Sequence, residues 1–301
     1  MHYSASSSFL SSLLPRTKEI LPRQSDCPDE LAPPAQLSSA KDVQLGLWLR
    51  EFRAYLQPKF DLHTGEVNAA EVLARWHHPL HGVLGPAHFL PLIKQERWLD
   101  DLLFALLEQG LAYQLQLHRM GRSLKLAFNL SLSQLNSSKL VERLETRLLE
   151  HPVRRSSLTF EITEDGPADL SDAHIEQLNR LSRLGIRLSI DDFGTGYSSL
   201  LRLCKVVFHE IKLPRDFIGS VDSSERHRAV VRNALALANA LGMEAVVEGI
   251  ETLSQRNLLV DMGARVGQGY LCAKPMSLEE FDSWKIKLYQ RFQTLICNLK
   301  L

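Results

Sequence analysis

A chain of 301 residues, 45% of them hydrophobic, is long enough to bury one barrel-sized core. Its 35 basic and 35 acidic residues cancel, which argues against binding to a nucleic acid polymer or an anionic membrane surface through net charge. The four cysteines, Cys27, Cys204, Cys272 and Cys297, are far apart and form no C-x-x-C pair. They read as free thiols in a reducing cytoplasm, not as a disulfide frame or a structural zinc site.

Residues 1–39 are rich in Ser and Pro, with Pro15, Pro22, Pro28, Pro33 and Pro34. The apolar stretch from Phe9 to Leu14 is broken by Ser11 and Ser12 and runs into Pro15-Arg16, unlike the unbroken centre of a secretory signal. A disordered leader is expected here, with docking to a partner as its alternative use. The barrel domain is expected over residues 40–301. No later window is apolar enough for a membrane span. No cyclase, receiver or ligand-sensing domain is legible, so control is expected from expression, self-association or a partner.

Ser39 is positioned to cap a short helix through Trp48. Phe52 to Pro58 then reads as a strand, followed by strands over Glu66 to Trp76, Lys125 to Ser131, Ser157 to Thr163, Arg187 to Asp191, Glu210 to Leu213, Glu244 to Val247 and Ala264 to Val266. Helical periodicity occupies Leu99 to Arg119, Ser133 to His151, Leu170 to Leu184, Ser224 to Leu241 and Thr252 to Met262. Strands that largely alternate with helices predict an α/β fold, a (β/α)8 TIM-type barrel.

Polar residues fall at or just past the carboxyl ends of these strands: Glu71, Asn129, Glu161, Asp191 with Asp192, Lys212, Glu248 and Gln268. In such a barrel these ends share the face that carries active sites. Each residue alone has a plain reading. Glu161 and Glu164 could enter a helix, Asn129 could sit in a turn and Lys212 could be a solvated edge charge. Together they make a ring of oxygen donors with one amine, without a matched His or Cys set. That chemistry suits Mg²⁺ or Mn²⁺ over zinc. So many carboxylates can hold two metals, an arrangement suited to in-line displacement at phosphorus. The adjacent His77 and His78 read as structural or substrate-edge residues. The stretch from Asp191 to Leu200 joins a repelling pair of acids to glycines and hydroxyl residues, the composition of a mobile rim loop.

A family resemblance rests on motifs that occur in order. They are Gln57-Pro58, Glu71-Val72-Leu73 with Arg75-Trp76 and His78-Pro79, Asn129-Leu130-Ser131, Glu161-Ile162-Thr163-Glu164, the Asp191 to Leu200 loop, Lys212, Glu248-Gly249-Ile250-Glu251, and Gln268-Gly269-Tyr270 with Lys274-Pro275. From about Val43 to Phe281 the sequence resembles the EAL-domain cyclic-di-GMP phosphodiesterases. The resemblance implies a barrel that converts cyclic-di-GMP to linear 5'-pGpG with two Mg²⁺ or Mn²⁺ ions; Ca²⁺, with longer bonds and looser geometry, is expected to inhibit. The resemblance also implies Glu71, Asn129, Glu161, Asp191, Asp192 and Glu248 as metal ligands, directly or through water. Lys212 would contact the catalytic water, Glu248 would be a candidate general base, and Gln268 would orient water or ligand. Gln57, Arg75 and Asp192, with Leu73 packing nearby, would hold the dinucleotide, and Glu164 would anchor the glycine loop. Pairing of two barrels through the surface near that loop is implied by the same likeness. The alternative within the family is a slow or inactive barrel used as a cyclic-di-GMP receptor or a protein-interaction module.

The pattern is not complete. Val72 replaces an Ala, and the segment from Val206 to Pro214 has His209 and Pro214 where the family usually has acids. Residues two apart on a strand share a side, so position 214 is expected beside Lys212. Without an acid there, Lys212 is expected to be loosely oriented and turnover submaximal.

Overall fold

The computed structural model describes residues 39–163, 170–195 and 199–286. The expected leader up to residue 38, Glu164, residues 196–198 of the glycine loop, Cys27 and Cys297 lie outside them. Ser39 belongs to the fold: its hydroxyl accepts from the Asp42 amide and the Asp42 carboxylate accepts from the Ser39 amide, a capping box that starts α1 (Ala40–Trp48).

β1 (Phe52–Asp61) and β2 (Val67–His78) follow as an antiparallel pair, joined by a turn in which Asp61 Oδ1 accepts from the His63 and Thr64 amides at 2.8 and 2.7 Å. The short β3 (Gly82–Leu84) folds back on the end of β2. Then come α2 (Leu90–Gln95), α3 (Leu99–Arg119), β4 (Lys125–Ser131), α4 (Ser138–Leu149), β5 (Leu158–Thr163), α5 (Asp172–Arg183), β6 (Arg187–Ile190) and α6 (Ser199–Lys205). β7 (Glu210–Leu213), α7 (Arg215–Ile218), α8 (Glu225–Ala240), β8 (Glu244–Val247), α9 (Leu253–Asp261), β9 (Val266–Gln268) and β10 (Met276–Ser277) complete the order.

The strands run β1-β9-β8-β7-β6-β5-β4-β2 around the ring, and the β1–β2 pairing closes it. From β2 through β9 neighbours on the ring are parallel, whereas β1 is antiparallel to both β2 and β9. The expected TIM-type barrel is present with this one strand reversed. Reversal follows from the connection, since residues 62–66 are too few for the crossover that a parallel neighbour needs.

Helix packing around the ring is close. An added Cβ at Gly110 of α3 would stand 2.6 Å from Phe128 Cζ of β4. Phe128 and Phe160 are each 1% exposed, and burial of such a side chain contributes about 1.5–3 kcal/mol.

Three sequence expectations shift. The helix expected over Ser133 to His151 is instead a 3₁₀ turn, Leu132–Asn136, followed by α4, because Ser137 caps a new helix by accepting from the Lys139 amide. The last ring strand is Val266–Gln268 and not Ala264 to Val266, which makes Gln268 itself a strand residue. Glu71 is not at a strand end: β2 continues to His78, and Glu71 pairs in register with Gln57 of β1 and Ala127 of β4.

Candidate active site

Period-two alternation on the barrel strands turns one set of side chains toward the axis. On β7 that set is Glu210 and Lys212, and Lys212 stands at the centre of the acids. Its Nζ donates to Glu161 Oε2 at 2.9 Å and lies 2.7 Å from Glu248 Oε1, 3.0 Å from Asp191 Oδ1 and 3.5 Å from Glu71 Oε2. Burial disfavours its charge, but Glu161, Glu71, Glu248 and Asp191 outweigh that and raise its pKa well above the ordinary lysine value.

Glu71 is clamped by neutral donors. Asn129 Nδ2 donates to Oε1 at 2.9 Å and Gln268 Nε2 to Oε2 at 2.6 Å, while Gln268 Nε2 also meets Gln57 Oε1 at 3.1 Å. Burial and the nearby Glu161 charge push Glu71 up to about 8, with Lys212 only partly opposing them. Burial works the same way on Glu161, yet Lys212 and Lys59 overcome it and bring that carboxyl down to about 2. Burial also raises Glu248, against the pull of Lys212 and with the push of Asp191. One environment therefore drives the proton affinities of neighbouring acids apart.

Above this cluster opens a cavity of about 320 Å³ lined by Gln57, Glu71, Leu73, Asp191, Asp192, Lys212, Arg215, Glu248, Glu251, Gln268 and Tyr270. Asp192 holds φ 50° at the turn after β6, an uncommon left-handed conformation for a residue with a side chain, at the lip of the site. Gly249 and Gly269 are required by space: an added Cβ would stand 2.3 Å from Arg215 Cβ at the first and 2.2 Å from the Ile250 carbonyl oxygen at the second.

Most of the residues singled out in the sequence converge here. Glu161 lies beneath Lys212 and is closed to solvent. Asn129 reaches the site through Glu71. Arg75 does not line the cavity: its guanidinium donates to the Ala74 carbonyl and lies over the Tyr55 ring, 5.7 Å from its centroid. His77 meets Tyr55 on the same flank, and His78 accepts from the Leu80 and His81 amides; neither lines the cavity.

The loose hold on Lys212 expected from Pro214 is not found. Pro214 is buried, precedes α7 as its N-cap residue and does not line the cavity. The four surrounding carboxylates already fix Lys212. His209 stands at the other end of β7, where its Nδ1 accepts from the Leu188 amide at 3.1 Å.

Three participants escaped the sequence reading: Lys59, Glu210 and Arg215. Lys59 follows Gln57 by two residues and Glu210 precedes Lys212 by two, so strand alternation was the available signal. Arg215, at the first turn of α7, carried no motif.

The donor set fits divalent cations. Asp191, Asp192 and Glu248 each offer a carboxylate oxygen, and these lie within 4.8 Å of one another. Glu248 Oε1 and Gln268 Oε1 are buried acceptors without an aligned hydrogen-bond donor. Hard oxygen donors of this kind suit Mg²⁺ or Mn²⁺.

Comparison with known proteins agrees with this geometry. The model of the EAL domain family matches residues 40–275. The chain is 44% identical over 259 residues to the cyclic di-GMP phosphodiesterase RocR of Pseudomonas aeruginosa, a match that covers 86% of this chain and 66% of RocR. It thus spans just under two thirds of that relative's length. The PaMucR phosphodiesterase in complex with c-di-GMP superposes with a TM-score of 0.74 at 34% identity, over 80% of this chain and 98% of that one. The EAL enzyme Bd1971, with cAMP and cyclic-di-GMP bound, superposes with a TM-score of 0.74 at 31% identity, over 82% of this chain and 67% of that one. Ordered motifs, a barrel with one reversed strand and an acid cluster under its mouth lead to one conclusion: the chain belongs to the EAL domain family.

Proposed function

We propose that this chain hydrolyses cyclic-di-GMP to linear 5'-pGpG with two Mg²⁺ or Mn²⁺ ions, lowering the level of a second messenger. The observation that carries the reading is the enclosure of one ammonium, Lys212, by Glu71, Glu161, Asp191 and Glu248 at the floor of an open cavity. That buried excess of acid is matched to added cationic charge.

Glu71, Asn129, Glu161, Asp191, Asp192 and Glu248 would hold the ions, directly or through water. When bound, the ions would supply Lewis acidity toward phosphorus and lower the pKa of water. Glu248, with its proton affinity raised by burial and its Oε1 beside Lys212 Nζ at the cavity floor, takes the proton of the attacking water. Lys212 donates to that water or to a phosphate oxygen as charge builds on it. Water attacks phosphorus, the bond to the 3' oxygen opens in line, and solvent protonates the leaving oxygen. Gln268 holds Glu71 in place and offers its Oε1 to water. Gln57, Leu73, Asp192 and Tyr270 wall the dinucleotide, and Arg215 offers a guanidinium to a phosphate. Arg75 would act from the flank and Glu164 on the glycine loop.

The test is incubation of the purified protein with cyclic-di-GMP and Mg²⁺ or Mn²⁺. Linear product supports the proposal, binding without product favours a receptor, and neither would sink both.

Two further readings attach to this one. Leu200 and Leu201 on α6 are 61% and 56% exposed beside the glycine loop, a surface suited to pairing with a second copy. Among the described residues no helix is long and apolar enough to cross a membrane, and Cys204 and Cys272 are free thiols, which suits the cytoplasm.

A further inference from the structure

A second lysine lies under the site, and the chemistry above does not use it. Lys59 of β1 is 4% exposed, and its Nζ meets Glu161 Oε1 at 2.8 Å and Glu210 Oε1 at 2.7 Å. Lys212 takes the other oxygen of Glu161. Each oxygen of this fully buried carboxylate therefore has its own ammonium.

The two ammonium groups are placed differently. Lys212 lines the upper cavity and is shared with Glu71, Asp191 and Glu248, the acids assigned to the cations. A divalent ion among those acids repels Lys212 and competes for the same oxygens. Lys59 is on the far side of Glu161. It lines a separate cavity of about 170 Å³ together with Glu210, Lys125, Arg187 and Glu244, and it does not line the upper one. Its hold on Oε1 can persist when Lys212 releases Oε2.

We propose that Lys59 is a positioning residue for the cation site. It anchors Glu161 through Oε1, so that Oε2 stays directed at the centre when a divalent ion displaces Lys212. This inference rests on the reading of Glu161 as a ligand. Groups behind a ligand that fix its orientation act in this way at metal sites generally.

The experiment titrates Mn²⁺ into metal-stripped full-length protein by calorimetry, without dinucleotide, after circular dichroism has shown native folding. Lys59→Met is expected to weaken Mn²⁺ binding by about tenfold or more, the usual effect of losing such a support. Glu210→Gln removes the other partner of Lys59 but leaves the anchor on Glu161, so its affinity should stay within about threefold of the parent. A role in stability alone would not separate the two variants.

If Lys59→Met does not fold, the double variant Lys59→Met/Glu210→Gln, which leaves no lone acid under the site, should show the same loss. Lys59→Met binding as tightly as the parent, or both single variants losing affinity equally, would overturn the inference. Absence of Mn²⁺ binding by the parent protein would instead overturn the metal reading beneath it.

Discussion

Lys212 Nζ lies 2.9 Å from Glu161 Oε2, with 2% of one side chain and none of the other exposed. Removal of Lys212 leaves Glu161 with Lys59 but takes the buried cation from Asp191 and Glu248, and an uncompensated buried charge costs about 3–5 kcal/mol. Lys212→Met should therefore destabilise the chelated protein by an amount of that order, read from urea unfolding. Excess Mg²⁺ should recover part of the loss, because added cations face the same acids. An unchanged midpoint in chelator would contradict the buried pairing.

Glu71 and Glu161 give the chelated protein a one-sided pH response. Glu71 is raised to about 8 from 4.5, so its contribution to stability is complete below the unfolded value, declines as pH rises and is gone above the folded value. Glu161 is lowered to about 2, so its contribution is present above the ordinary carboxyl range and is lost only as pH falls through that low value. Between about pH 5 and 8 the Glu71 contribution should fall with rising pH, by at most about 1.4 kcal/mol per unit, whereas His77, His151, His174 and His209, held down by burial, change stability in the opposite sense. The difference between the denaturant midpoints of the parent and of Glu71→Gln across that range checks the sign.

Glu71→Gln keeps the shape of the protonated side chain that burial favours. Stability at neutral pH should change by less than about 1 kcal/mol, and the pH slope just described should flatten. Turnover should drop by about a hundredfold or more, because a Gln at 71 cannot ionise to offer a cation an anionic oxygen. Unimpaired hydrolysis by a folded Glu71→Gln protein would remove Glu71 from the machinery.

Arg215 lines the cavity with its side chain 73% exposed and its guanidinium 3.9 Å from Glu251. An exposed pair at that distance contributes little to folding. Arg215→Ala should leave the melting temperature unchanged and raise KM for cyclic-di-GMP by about tenfold, with kcat nearly constant. A fall in kcat at constant KM would assign Arg215 to the transition state instead.

Calcium should block turnover. It prefers oxygen distances of about 2.3–2.6 Å, against about 2.0–2.1 Å for magnesium, and acidifies water less. Competition assays at fixed Mg²⁺ should show a falling rate as Ca²⁺ rises. Full activity in Ca²⁺ alone would contradict this reading of the oxygen cluster.

The sequence made the upper site legible because Glu71, Asn129, Glu161, Asp191, Lys212, Glu248 and Gln268 are polar residues on the strands or one residue past them. What it left hidden follows from geometry. Lys59 sits in the run Pro58-Lys59-Phe60, where a proline seemed to end the strand, yet β1 continues to Asp61. Proline was tolerated at a position that register pairs with Ala70. Glu210 looked like the polar start of a strand, and only ring closure brings it against Lys59. A loose Lys212 was expected from its own strand alone, whereas the acids that hold it, Glu71, Glu161, Asp191 and Glu248, come from other strands around the ring.

The reversed strand sets where the chain arrives. Phe52 of β1 pairs with Trp76 near the carboxyl end of β2, and Asp61 pairs with Val266 at the start of β9. β1 thus descends from the mouth that holds the acids, and α1 stands at that mouth, with Gly46 packed on Trp76 and Glu51 accepting from its indole nitrogen at 2.8 Å. A pull or a load applied ahead of Ser39 would reach Trp76, and through it the strand that carries Glu71 and Leu73, without crossing the barrel.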